Sequence, residues 1–222
     1  MTRAGPTGIV LAGGRSSRYG TDKLVALVGG EPLLWRPIRA LAGAGCATIV
    51  VTIGRDADAP IGPPELAPLI RFAHDHEPDG GPLVGLRAGL AAAPSGVAIV
   101  VAGDQPSLRP ALLRSMSTAL ATPQESGPPG GREPRAVVLV DPDGVARPLP
   151  CLVDRDAALA AADRLLAVGE ARLRGLLRAL AARELPESIW RRDDPDASWT
   201  IDVDVPGDLH DAPRAGEPPR RG

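Results

Sequence analysis

Short apolar runs alternate along the chain with segments whose apolar residues recur at helical spacing. Residues 7–12 form the first run and stop at Gly13-Gly14. Gly29-Gly30 before Glu31-Pro32 signals a turn. Residues 33–42 then show helical spacing closed by Gly43 and Gly45. A second, β-branched strand covers 48–53, and a proline-containing loop covers 54–68. A third strand, 69–73, ends at His74-Asp75. Gly80-Gly81-Pro82 opens a helix that runs through Ala93, with the proline in the first turn where it is tolerated. Residues 97–102 are the strongest strand and end at Gly103-Asp104.

This strand–helix–strand alternation predicts an α/β fold, a single three-layer α/β/α Rossmann-like domain with a mostly parallel central sheet. Ligands of such sheets bind beyond the carboxyl ends of the strands. If the sheet is parallel, Gly13-Gly14, Asp75 and Asp104 converge on one edge. Further along, 122–135 reads as a flexible surface loop between a half at about 7–121 and a half at about 136–210. Residues 136–140 form a strand, 147–153 are extended, and 157–182 are helical with a break at Gly169. Residues 200–205 form a last short strand, and 212–222 a disordered tail.

Composition narrows the function classes. The 222 residues are 44% apolar but carry few aromatic side chains, namely Tyr19, Trp35, Phe72, Trp190 and Trp199. Val, Leu, Ile and Ala therefore build the core, as in buried parallel strands packed by Ala-rich helices. A net charge of −2 gives no basic excess for nucleic acid. No apolar run is long enough to span a bilayer, and residues 1–7 lack the apolar core of a signal peptide. The expectation is a cytoplasmic protein without membrane or nucleic-acid partners. Cys46 and Cys151 are read as buried free thiols, and zinc is not expected with three histidines and two cysteines so dispersed.

The chemistry concentrates in L-A-G-G-R-S-S-R-Y-G-T-D-K, residues 11–23. Gly13 and Gly14 let the backbone bend and approach a ligand, so that loop N–H groups can cradle phosphate oxygens. Arg15, Arg18 and Lys23 add positive charge, and Ser16 and Ser17 add hydroxyl donors. The segment is neither a Walker A loop nor a dinucleotide fingerprint. Asp22 is read as pairing with Arg15 or Arg18 and shaping the loop. His74, His76, Glu77 and Asp79 are read as ordinary loop residues.

Residues 11–23 resemble the signature of molybdenum cofactor guanylyltransferases within the nucleotidyltransferase superfamily, with Tyr19 where Met is common. G-G-P-L-V-G at 80–85, G-D-Q-P at 103–106, R-P-L-P-C-L at 147–152 and I-D-V-D-V-P-G-D-L at 201–209 resemble later family segments in order and spacing. The resemblance covers about 7–210. It implies that Leu11, Ala12, Gly13 and Gly14 contact the nucleotide, together with Asp75, Gly81 and Pro82. It implies that Lys23 binds triphosphate oxygens, Arg18 neutralises the leaving pyrophosphate, and Asp104 holds Mg2+, with Mn2+ as a substitute. Asp202, or else Asp204, would complete the metal site. Asp204 replaces a family Asn, and both aspartates have an alternative as helix caps.

The activity so implied is Mg-dependent guanylyl transfer from GTP to a phosphorylated acceptor, molybdopterin-bound molybdenum cofactor, with release of pyrophosphate. Transient contact with proteins that supply or receive the cofactor would accompany it. Alternatives are another NTP or acceptor (cytidylyl transfer to the same cofactor, phospholactate, a sugar phosphate) and a non-catalytic nucleotide-binding protein. Intact Lys23 and Asp104 weigh against the last.

Overall fold

The computed structural model describes residues 5–13, 23–75, 80–94, 96–121 and 133–203. In chain order the first half contains β1 (Thr7–Leu11), β2 (Leu27–Val28), β3 (Glu31–Pro32), α1 (Trp35–Gly43), β4 (Thr48–Gly54) and β5 (Ile70–Asp75). It continues with α2 (Pro82–Ala92), β6 (Val97–Ala102) and α3 (Pro110–Ala121). Then come β7 (Ala136–Val140), β8 (Ala146–Asp154), α4 (Arg155–Ala167), α5 (Leu173–Ala179), β9 (Arg183–Leu185) and α6 (Glu187–Trp190). Short 3-10 turns lie at Lys23–Val25, Ala67–Leu69 and Ser198–Thr200.

Seven strands form one sheet in the order β5-β4-β1-β6-β8-β7-β9. β8 alone runs against the rest, being antiparallel to both β6 and β7. The expected mostly parallel α/β sheet is thus present, and the stretches before and after residues 122–135 share it. β2 and β3 form a separate hairpin turned by Gly29 (φ 61°) and Gly30 (φ 87°), left-handed backbone that glycine adopts without a Cβ penalty.

Alternation along the central strands divides the core into two layers. Val10, Val51, Ile99 and Val101 face α1 and α3, whereas Ile9, Val50, Ala98 and Val100 face α2 and α4. Ile9, Val50 and Val100 are fully buried, and each such side chain contributes about 1.5–3 kcal/mol of transfer free energy. α2 lies close over β1 and β4 because it carries glycine there. A Cβ at Gly89 would meet Ile9 Cγ2 at 2.7 Å and Thr52 Cγ2 at 3.0 Å.

Several expectations need correction. Of the strand expected at 200–205, the described residues do not extend the sheet: Ser198–Thr200 is a 3-10 turn and 201–203 have no regular structure. Strand β5 continues through Asp75, so His74 and Asp75 belong to it. The helical stretch 157–182 is α4 and α5, separated around Gly169 (φ 79°), and residues 180–182 lie past α5. The pattern does not single out α3, β9 or α6. Residues 14–22, 76–79, 122–132 and 204–222 lie outside the described residues, so the expected loop and tail, and the readings of Asp22, His76, Glu77 and Asp79, fall there.

Candidate active site

The sheet order creates a crevice. From β1 the chain moves outward to β4 and β5, then returns to the other side of β1 as β6. Beyond the carboxyl ends of β1 and β6 the connections leave in opposite directions, the place where open α/β sheets bind ligands. Ala12 N–H donates to Thr52 O at 3.0 Å, and Gly103 N–H donates to Leu11 O at 3.0 Å. The first groups past the ladder are the Ala12 carbonyl and the Gly13 N–H. Gly103 lets the tips close together, since a Cβ there would meet Leu24 Cδ2 at 3.2 Å and Leu11 O at 3.3 Å. The turn Lys23–Val25 is held here by Leu34 N–H donating to Leu24 O at 3.1 Å. The Lys23 backbone therefore stands beside the β1 and β6 tips. Its side chain, Gly14 and Arg18 are outside the described residues.

Asp104 follows the β6 tip, and the last described segment folds back onto it. Val203 N–H donates to Asp104 O at 3.0 Å, and the Val203 side chain is buried with Val28 and Leu33. Asp202, the adjoining residue, is exposed and comes to the same strand end. Two groups that sequence reasoning missed fix this approach. Gln105 Oε1 accepts from Ala102 N–H at 3.1 Å, and its Nε2 donates to Trp199 O at 3.3 Å. Asp194, fully buried, accepts from Ser198 Oγ at 2.8 Å and Trp199 N–H at 2.9 Å, and pairs with Arg109 Nε at 3.0 Å. Trp199 packs edge-on against Trp190, with ring centroids 5.6 Å apart. The available signal was weak: Gln105 stands inside G-D-Q-P, and Asp194 hides in a run of charges that resembles solvated surface.

Asp75 belongs to a neighbouring part of the same edge. It ends β5, three strand spacings from β6, which is about 14 Å. Gly85 lies over it, with the glycine's Cβ position 3.9 Å from Asp75 Oδ2. α2 begins here at Pro82 after Gly81 (φ 83°), and Leu83 N–H donates to Ala171 O at 3.1 Å. A groove of about 590 Å3, lined among others by His74, Asp75, Gly80, Arg87, Asp163 and Ala171, runs between α2 and α4. The nucleotide-binding expectations thus divide. Leu11, Ala12, Gly13 and Asp104 gather at the β1–β6 crevice, whereas Asp75, Gly81 and Pro82 gather at the β5–α2 end.

β8 begins at this edge as well, because it is antiparallel to β6. Arg147 Nε donates to Asp141 Oδ2 at 2.6 Å. Asp141 is buried and accepts from Val145 N–H at 2.8 Å and Asp143 N–H at 3.0 Å. The Val145 N–H above all, and then Arg147, hold its carboxyl below the usual range, against burial that raises it. Cys46 and Cys151 are free and buried, as expected, and burial pushes both thiols up to about 12. Among the described residues, no helix is long and apolar enough to cross a membrane.

Residues 8–185 match the family described as MobA-like NTP transferase domain. A protein of Chloroflexus aggregans, named probable molybdenum cofactor guanylyltransferase, is 33% identical over 210 residues, 91% of each chain. A molybdenum cofactor guanylyltransferase of Xanthomonas euvesicatoria is 43% identical over 108 residues, 48% of this chain and 51% of that one. The fold is shared with molybdopterin-guanine dinucleotide biosynthesis protein A of Archaeoglobus fulgidus, with a TM-score of 0.68 and 20% identity over 93% of this chain and 96% of that one. It is shared too with 2-C-methyl-D-erythritol 4-phosphate cytidylyltransferase of Thermus thermophilus, with a TM-score of 0.64 and 16% identity over 92% and 96% of the two chains. By the extent of the family match and the full-length relative, this chain belongs to the MobA-like NTP transferase family.

Proposed function

We propose that the chain transfers the guanylyl group of GTP to the phosphate of molybdopterin carrying molybdenum, and releases pyrophosphate. The observation that carries this reading is the β1–β6 crevice, where Gly13 and Asp104 follow the ends of two adjacent parallel strands, in a chain with a relative named for that reaction along 91% of its length. An oxygen of the acceptor phosphate attacks the α-phosphorus in line, and the bond from that phosphorus to the bridging oxygen of the β-phosphate breaks. Pyrophosphate leaves with the electron pair. The nucleophile is already an anion at neutral pH, so the protein's task is positioning and neutralising charge.

In this reading Leu11, Ala12, Gly13 and Gly14 hold the nucleotide at the strand tip, and Lys23 binds triphosphate oxygens. Arg18 neutralises the departing pyrophosphate. Asp75, Gly81 and Pro82 take the part of the nucleotide that reaches the β5–α2 end. A divalent cation suits Asp104 and Asp202: both offer hard carboxylate oxygens, and Val203 ties their backbones together. Mg2+ takes one or two carboxylates from a protein and completes its shell with phosphate oxygens and water, and Mn2+ can replace it. Bound there, the ion would supply positive charge to the triphosphate. Proteins that supply molybdopterin or receive the dinucleotide would meet the chain transiently, in the cytoplasm.

Pyrophosphate release measured with each of the four NTPs, with and without molybdenum-loaded molybdopterin, tests the proposal. Release with GTP that depends on the acceptor is expected. Equal release with CTP, or dependence on another phosphorylated acceptor, would replace guanylyl transfer with a different nucleotidyl transfer.

A further inference from the structure

A second depression opens beside Arg147. Pairing between β7 and β8 shifts abruptly: Val138 faces Cys151, but the next residue, Leu139, faces Arg147. Residues 148–150 are therefore looped out of that ladder, a bulge of the kind that re-aims side chains next to sites. The bulge and α5 border a groove of about 340 Å3. Val138, Ala146 and Leu177 supply apolar surface, and Arg147, Arg174 and Arg178 supply charge.

The three arginines are exposed, yet they converge on one groove. Arg174 and Arg178 are four residues apart on α5 and so share a face, where like charges repel. Among the described residues neither guanidinium has a hydrogen bond or ion pair. Arg147 is held differently. Its Nε is spent on Asp141, and buried Asp141 is itself fixed by the N–H groups of Val145 and Asp143. That leaves an oriented guanidinium with its terminal N–H groups uncommitted among the described residues. Among the described residues Glu184 is the one acid lining the groove. Oriented guanidinium groups over apolar surface match a flat molecule that carries an oxyanion, because the planar fork pairs two N–H groups with two oxygens.

We propose that this groove is the subsite for the non-reacting, anionic end of the acceptor. The inference rests on the proposed guanylyl transfer. β8 is the strand next to β6, with β7 and then β9 beyond, so along the sheet the groove's lining lies about 5–14 Å to the side of the β6 tip. One small molecule can span that distance, with its phosphate at the β1–β6 crevice and its oxyanion among the arginines. The ligand chemistry has two sources, the acceptor itself or a free inorganic oxyanion, and the test separates them.

The full chain is compared with Arg174→Gln/Arg178→Gln and with Arg147→Gln in steady-state kinetics, varying GTP and molybdenum-loaded molybdopterin separately. The acceptor KM is expected to rise about tenfold or more in each variant, the loss of a charge-assisted contact, with the GTP KM within twofold of wild type. Arg174→Lys/Arg178→Lys should recover part of the loss. Inorganic phosphate and molybdate should inhibit the wild type competitively with the acceptor and inhibit the glutamine variants less. An acceptor KM that stays within twofold in the variants overturns the proposal. So does phosphate or molybdate inhibition that is lost in the variants but non-competitive with the acceptor, which assigns the groove to a free oxyanion. Wild-type chain that releases no pyrophosphate with this acceptor refutes the guanylyl-transfer reading instead. The groove is then read by calorimetric titration of the wild type and variants with phosphate and molybdate, and equal affinity in all of them refutes any oxyanion site there.

Discussion

Asp194→Ala should loosen the segment that carries Asp202 and cost about 3 kcal/mol of stability. The carboxylate is fully buried and accepts hydrogen bonds from Ser198 Oγ and Trp199 N–H. Its ion pair with Arg109 adds little, because that side chain is 42% exposed and also bonds Asp196 at 2.7 Å. After truncation the Ser198 hydroxyl can still donate to Ser107 O at 3.0 Å, so it keeps a partner. The Trp199 N–H does not, and an orphaned buried donor costs about 1–3 kcal/mol on top of the lost bond to a charged acceptor. For a chain of this size about 3 kcal/mol lowers Tm by roughly 6–12 °C. Asp194→Asn keeps one acceptor oxygen and should lose less than half as much. Thermal and urea unfolding read the stability, and titration with Mn2+ reads the site, where weaker binding is expected because Asp202 is no longer fixed beside Asp104. Stability within about 0.5 kcal/mol of wild type, the range of ordinary surface substitutions, would refute the reasoning.

Lys23→Ala and Asp104→Ala should each lower kcat about 10²- to 10³-fold while Tm stays near wild type, as for other single electrostatic contacts to a reacting group; wild-type turnover in either contradicts the assignment. Gly89→Ala pushes a methyl into Ile9 and Thr52 and should destabilise by up to about 2 kcal/mol, overpacking of about 1–3 kcal/mol less about 1 kcal/mol of helix preference for alanine; a raised Tm would show that α2 can lift at no cost. Asp141 titrates below its unfolded value, so its contribution is complete above about pH 4 and is lost as pH falls through the lower folded pKa. Urea midpoints taken from about pH 5 to pH 2 should therefore fall less steeply in Asp141→Asn, and an unchanged slope counts against the pairing. Cys46 and Cys151, with thiols raised to about 12, should resist a thiol-specific disulfide reagent at pH 8 until the chain unfolds; immediate reaction of the folded protein would show that they are accessible.

The strands were legible where burial on both faces leaves continuous apolar runs. Residues 97–102 and 136–140 coincide with β6 and β7 for that reason. The strand ends Gly13, Asp75 and Asp104 were legible as members of one edge because parallel order brings carboxyl ends together. Which of them share a crevice was not, since that depends on β1 lying between β4 and β6. The alternation I-D-V at 201–203 reports neither faces nor neighbours: Val203 is buried and Asp202 exposed, but Ile201 is exposed as well, Val28 and Leu33 cover the valine, and among the described residues no strand pairs there. α3 opens on Pro110 and carries Ser115, Ser117 and Thr118, so local preference hides its apolar face of Leu112, Leu113 and Met116. Asp194 was illegible because burial by a distant Arg109 and by the Trp190–Trp199 pair leaves no local trace.

Crystals grown with Mn2+ and a non-hydrolysable GTP analogue offer the most direct test. Anomalous scattering should locate the ion on the Asp104 carboxylate, in direct contact with its oxygen, with the phosphates over Gly13 at the β1–β6 crevice. Metal and phosphates collected instead along the α2–α4 groove, with Asp104 contacting neither, would contradict the account.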